Sequence, residues 1–164
     1  MPIDLAAALP RLLPKAVSWA QLQSQAALER GRPLSPDEQA DAQAAGVQRP
    51  HRVRVAVVDA IPRPDDEELR AAAEQAGLLG PDTVGLALGY ATVLRSDFAG
   101  SSALLKHELQ HVRQFECYGS IEAFLSVYLH QVVQFGYADA PLERQARDGG
   151  HDGAPRCETS ATDR

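Results

Sequence analysis

Two histidines and a glutamate stand together in His107-Glu108-Leu109-Gln110-His111, and their types and spacing define a chemistry. On an α-helix, four residues advance the chain by about 400° and ~6 Å, so the two imidazoles project from one face, one turn apart. Placed so, their nitrogens can grip one divalent ion at ~2.0–2.1 Å each, and the H-E-x-x-H order is a zinc-site pattern. Glu108 points about 100° away from its neighbour. Its carboxylate can still lie beside a water in the open position of the metal and take that water's proton as general base. A purely structural site has no need of such a base. Cys117 lies on the same stretch, but nothing around it marks an activated nucleophile.

Two ligands from one helix do not complete a catalytic site, which needs three protein ligands and one open position. The extended pattern H-E-x-x-H-x-x-G-x-x-H is excluded, because Gln114 occupies the glycine position and Cys117 the last histidine position. The third ligand is therefore expected further along the chain. Glu143 is the first choice. It falls in the first turn after Pro141, on a helix that can pack beside the motif helix once an intervening helix over Ile121–Phe135 has reversed the chain. Asp139, on the loop Gly136-Tyr137-Ala138-Asp139, is the alternative. His130, in mid-helix, and His151, in a polar tail, rank below both.

The elements that must position these groups are legible from punctuation and period. Lys15 to Arg30 reads as a helix between Pro14 and Gly31, with Trp19 as a core anchor. Ser35-Pro36-Asp37-Glu38 is a capping box that opens a second helix, running to about Ala45 before Gly46. Arg52 to Val58 is β-branched and predicts a strand. Asp65-Asp66-Glu67-Glu68 opens a third helix with Asp65 as its cap, a solvated helix start to which no chemistry is assigned. In Thr83 to Arg95 larger and smaller residues alternate, and Leu88-Gly89-Tyr90-Ala91 predicts a two-residue hairpin turn, the competing reading being one long strand with a glycine bulge. The motif helix is expected from Ser101 or Ser102 to about Cys117, a fifth over Ile121–Phe135 and a short sixth from Leu142 to about Asp148.

The 164 residues carry 16 Lys and Arg against 22 Asp and Glu, a formal net charge of −6. An acidic chain without a basic cluster argues against a nucleic-acid partner. No apolar run approaches the ~20 residues that span a bilayer, so no membrane association is expected. The N-terminus makes a poor signal peptide, with Asp4 in place of positive charge and Pro10 and Pro14 in the apolar stretch. The two cysteines, Cys117 and Cys157, read as free thiols of a cytoplasmic protein.

The segment Leu104-Leu105-Lys106-His107-Glu108-Leu109-Gln110-His111-Val112-Arg113-Gln114 resembles the L-L-x-H-E-L-x-H-V-x-Q signature of small bacterial zincin-like domains of unknown function. The preceding Gly85–Arg95 segment is similar to the glycine-containing hairpin of those domains. Gly136-Tyr137 with Pro141-Leu142-Glu143-Arg144-Gln145-Ala146 resembles the G-Y…P-x-E-x-E-A stretch of related minimal gluzincins, which puts Glu143 at the third-ligand position. The likeness covers roughly residues 83–148. It departs at Gln145, where a second Glu is common, and at Arg147, where larger gluzincins carry an Asp that buttresses a metal histidine.

This resemblance implies an α+β, minimal zincin-like fold. A small antiparallel sheet or hairpin would pack on the motif helix. The expected organisation is an N-terminal helical extension over residues 1–50, a zincin-like metal-binding domain over 51–148 and a disordered tail over 149–164. It implies a Zn²⁺ cofactor on His107, His111 and Glu143, with Glu108 as base and a peptide or protein as substrate. An edge strand above the metal would pair with the substrate backbone, the small residues of 83–95 permitting close approach. Peptidases of this class also need a donor for the tetrahedral oxyanion. Tyr137 is the candidate, with Tyr118 and Tyr128 read as packing residues. The competing expectation is a non-catalytic zinc-binding accessory module that works through a protein partner. The small size and Ala-rich N-terminal helices favour it, because they leave little room for a deep specificity cleft.

Overall fold

The computed structural model describes residues 1–149. His151, Cys157 and all but the first residue of the tail expected over 149–164 lie outside them. The first helix, α1 (Leu5–Arg30), is longer than its punctuation suggests. It starts at Asp4, whose side chain accepts from the Ala7 N–H, and runs through Pro10 and Pro14. Each proline forfeits one helical hydrogen bond. Both lie on the exposed side, while Ala8, Leu9, Leu12, Val17, Ala20 and Ala27 are buried along the opposite face. Burial of that stripe outweighs the local preference of proline to end the helix. Helix α2 (Pro36–Ala45) has the expected capping box between Ser35 and Glu38 and ends at Gly46, whose φ is 95°. Helix α3 (Glu67–Gln75) is capped by Asp66, one residue later than predicted.

Strands β1 (Arg32–Pro33), β2 (Arg54–Val58), β3 (Gly85–Leu88) and β4 (Ala91–Arg95) form a sheet in the order β1-β2-β4-β3. The hairpin between β3 and β4 turns at Gly89 and Tyr90 as predicted, with Gly89 at a φ of 65°. The sheet as a whole is mixed, which corrects the expected antiparallel one: β2 and β4 run parallel, from Arg54 beside Ala91 to Val58 beside Arg95. A parallel pair needs a crossover of a dozen or more residues, and the stretch carrying α3 and β3 supplies it. Because β4 pairs with β2, β3 is left at the edge of the sheet.

Three further helices follow: α4 (Ser102–Tyr118), α5 (Ile121–Phe135) and α6 (Pro141–Arg147). The sheet separates two layers of core. Val55 and Leu94 point to the side of α2 and α4, where Ala42, Leu105, Leu109 and Val112 are buried with them. Ala56 and Val93 point to the other side, toward Ala27 and Trp19 of α1. Strand β1 pairs with β2, and Leu34 and Val47 belong to the same buried cluster as the motif helix. The boundary expected at residue 50 therefore runs through a shared core. Among the described residues there is no free cysteine, which corrects the reading of Cys117 as a free thiol. No helix among them is long and apolar enough to cross a membrane.

Candidate metal centre

Helix α4 is fixed at both ends before its chemistry begins. The Ser101 side chain accepts from the Leu104 N–H, and Gly119 closes the helix at a φ of 87°. Leu105, Leu109 and Val112 anchor one face in the core. The polar residues Glu108, His111 and Gln114 are nevertheless buried too, at 5%, 7% and 2% exposure. Buried polar groups need partners, and α6 provides them for His111 and Gln114. α5 is capped by Ser120 and reverses the chain at Gly136. Pro141 then opens α6, which carries Glu143 back against α4 with only 3% of the residue exposed.

Glu143 meets both histidines. Its Oε2 lies 3.3 Å from His107 Nε2 and its Oε1 lies 3.0 Å from His111 Nε2. The imidazoles stand edge to face with centroids 4.9 Å apart. One ligand atom from each of the three residues lies within 4.8 Å of the other two. Two donors about 2.1 Å from one ion at a tetrahedral angle lie about 3.4 Å apart, so two imidazole nitrogens and a carboxylate at these spacings fit a zinc ion. Asp139 is exposed and outside this group. His130 is also exposed, and its ring nitrogen is engaged by the Ser126 carbonyl of its own helix.

Residues around the candidate ligands hold them in place. His111 Nδ1 lies 2.8 Å from Gln114 Oε1. With the amide oxygen accepting from Nδ1–H, Nε2 is the nitrogen that faces Glu143, able to donate to its carboxylate when protonated and to bind a metal when not. The same amide donates through Nε2 to the Leu142 carbonyl and to Gln145 Oε1, both at 2.9 Å. Gln114 thus ties the candidate ligand His111 of α4 to the helix that carries Glu143. Gln145 thus has a partner suited to an amide, and the support of His111 Nδ1 comes from Gln114 within α4. Tyr128 donates to Glu143 Oε1 at 2.7 Å, and Gln131 Oε1 accepts from the Leu142 N–H. Tyr128 was expected to be a packing residue. Its signal, with Gln131, is a polar residue on the apolar stripe of α5 at helical spacing from Phe124.

The electrostatics follow from this packing. Burial pulls the Glu143 pKa upward, but hydrogen bonds from His107, His111 and Tyr128 outweigh it and hold the carboxyl well below the usual range. For His111 burial works downward, and the bond to Glu143 with the nearby Glu108 charge reverses the sign, so its pKa is raised. Burial raises the pKa of Glu108. It also raises that of Tyr128 well above the ordinary phenol value, with the Glu143 charge adding to it. Tyr137 is pushed up to about 12, by burial first and then by Glu143 and Glu108.

Glu108 takes no part in the ligand group and lies beneath β3. A Cβ built on Gly85 would stand 2.9 Å from Glu108 Oε1 and 2.9 Å from Leu104 Cδ1. The small-residue face of the hairpin, expected to admit substrate, thus receives the motif helix. His107, Glu108, His111, Tyr128, Tyr137 and Glu143 all line one cavity of about 710 Å3. Such a volume is within the ~300–1,000 Å3 of ligand pockets and corrects the expectation that the chain has little room for a cleft. Comparison of the chain with protein-family models, curated proteins and solved structures finds no match.

Proposed function

We propose that this protein is a zinc-dependent peptidase in which His107, His111 and Glu143 hold the ion and Glu108 is the general base. One observation carries the reading: a three-residue ligand group and a carboxylate that is not part of it line the same cavity. A structural zinc site is closed by four protein ligands, whereas a catalytic one keeps a position open. A bound Zn²⁺ supplies Lewis acidity, lowering the pKa of a water and polarising a carbonyl.

The chain's own groups do the rest. Glu108, held under Gly85, accepts a proton at its carboxylate and returns it to the leaving amine. The Tyr137 hydroxyl is protonated throughout the neutral range, as any phenol is, and burial pushes its pKa further up, to about 12. It can therefore donate a hydrogen bond to a developing oxyanion. Gln114 and Tyr128 hold His111 and Glu143 in register. The free edge of β3 offers backbone groups to a substrate strand. The alternative of a non-catalytic module drew on the absence of a cleft, and the cavity removes that ground.

The test separates binding from chemistry. Glu108→Gln keeps the shape of the side chain but cannot accept the proton. Zinc content should stay nearly unchanged, while cleavage of a diverse peptide library, read by mass spectrometry, falls by ~10²–10⁴-fold. His111→Ala should lose zinc and activity together. If Glu108→Gln loses zinc as completely as His111→Ala, Glu108 is a ligand and the mechanism fails. If the zinc-loaded wild-type chain cleaves nothing in the library, the peptidase reading fails and a metal-binding module remains.

A further inference from the structure

The cavity extends well past the groups that do chemistry. Leu9 and Trp19 of α1, Ala73 of α3 and Leu129 of α5 are among its walls, and no lysine or arginine of the described residues lines it. One side is formed by β3, and there the lining is unbroken from Thr83 through Leu88. A strand presents alternate residues to either face, so a consecutive run borders the cavity with its edge.

The register shows which backbone groups that edge offers. The Arg95 N–H donates to the Val84 carbonyl, and Leu86 and Leu88 pair with Val93 and Ala91. In an antiparallel ladder the direction of the backbone groups alternates. Val84, Leu86 and Leu88 therefore face β4, and the N–H and C=O of Gly85 and Ala87 face the free edge. Ser24 of α1 donates to the Leu88 carbonyl at 2.8 Å, on the β4 side of the strand, and so leaves the Gly85 and Ala87 groups open. Apolar walls call for large apolar side chains, and an unpaired strand edge calls for a backbone. A polypeptide meets both demands, while an acyl chain meets only the first.

We propose that the cavity seats a run of about four large apolar residues of a polypeptide, extended along the edge of β3. The substrate class of the peptidase is then an apolar peptide segment. That the segment is a substrate rests on the peptidase reading; its binding rests on the cavity and the β3 edge.

The chain has one tryptophan, Trp19, and it lines the cavity, so its emission reports occupancy. The full chain, stripped of metal with a chelator, would be titrated with acetyl-Leu-Val-Phe-Leu-Lys-Lys-amide. The controls are the same peptide with Ser and Asn in the apolar positions, the same peptide N-methylated at alternate residues, and dodecanoate. The apolar peptide should bind at least about tenfold more tightly than each control. Ala73→Phe, which fills the cavity from α3, should weaken peptide binding at least about tenfold, as should Ala16→Phe from α1. Two fillings guard against one variant failing to fold.

Equal binding of apolar and polar peptides overturns the proposal. So does binding of dodecanoate as tight as that of the peptide, which marks a lipid site, or unchanged peptide binding in a folded filling variant. Loss of discrimination against the N-methylated peptide removes the strand pairing and overturns the extended pose. If the peptide binds and the zinc-loaded chain cleaves no peptide, the peptidase reading fails and the cavity assignment stands. If zinc-loaded protein cleaves peptides without preference for apolar runs, the cavity assignment fails and the peptidase reading stands.

Discussion

A single methyl group at Gly85 would probe the geometry of Glu108, the proposed base. The added Cβ would press on Glu108 Oε1 and Leu104 Cδ1, each 2.9 Å away. Both are ends of flexible side chains, so the fold can absorb the change, but the carboxylate has to move. Gly85→Ala is expected to keep its zinc content and its thermal midpoint while losing at least about tenfold in kcat, since catalytic positions tolerate little displacement. An unchanged kcat would mean that the Glu108 position under β3 is not the working one. Gln114 tests the support of the ligands instead. Gln114→Ala removes the partner of His111 Nδ1 and the tie to Leu142 and Gln145. Zinc affinity, measured by competition with a chromophoric chelator, should fall ~10–100-fold, the usual range for partners of metal ligands. Retained affinity would mean that packing alone orients His111.

At the scale of elements, α2 offers a titratable handle that is not part of the candidate metal centre. Arg32 bonds to Glu38 at 2.7 and 3.1 Å. That hydrogen bond, together with those of the capping box, lowers the Glu38 pKa to about 2 against the opposing effect of burial. A carboxyl whose folded pKa is depressed stabilises the fold above its unfolded value of about 4.5 and loses that contribution as pH falls toward about 2. Glu38→Gln should therefore lower Tm at pH 7, and its difference from wild type should shrink steadily between about pH 4.5 and 2. A difference independent of pH would assign the effect to the shape of the cap rather than to charge. This capping box was legible in four consecutive residues because its partners are three positions apart. The start of α1 was not. Pro10 and Pro14 each argue locally for a boundary, and only the buried stripe from Ala8 to Ala27 shows why the helix continues through them.

For the whole molecule, the question is whether the part that carries the candidate metal centre stands alone. α1 places Ala8 and Leu12 against Leu69 and Ala72 of α3, and Ala27 against Ala56 and Val93 of the sheet. Lys15 pairs with Asp66 at 2.7 Å and Arg11 pairs with Glu68, though exposed pairs of this kind contribute little. Burial is the larger effect. Deletion of residues 1–30 should therefore abolish the cooperative thermal transition followed by circular dichroism, rather than release a folded domain. A truncated chain that melts cooperatively and still binds zinc would restore the boundary at residue 50.

Local relations reached their conclusions from residue order alone. His107 and His111 share a face because four positions make about one helical turn, and the hairpin at Gly89 and Tyr90 closes between adjacent strands. The choice of Glu143 over Asp139 was already a weaker inference, since it depends on how α6 returns to α4. Tertiary structure decided the matters that span large separations. These were the parallel pairing of β2 with β4, the meeting of Tyr128 and Gln114 around the ligands, and the cavity that α1 and α3 enclose. Their physical basis is the packing of distant elements, which no period or spacing within one element encodes. A tyrosine on an apolar helix stripe looks the same in sequence whether it fills a core or donates to the carboxylate of a ligand group. Here the hydroxyl lies 2.7 Å from Glu143, and only the approach of α5 to α6 put it there.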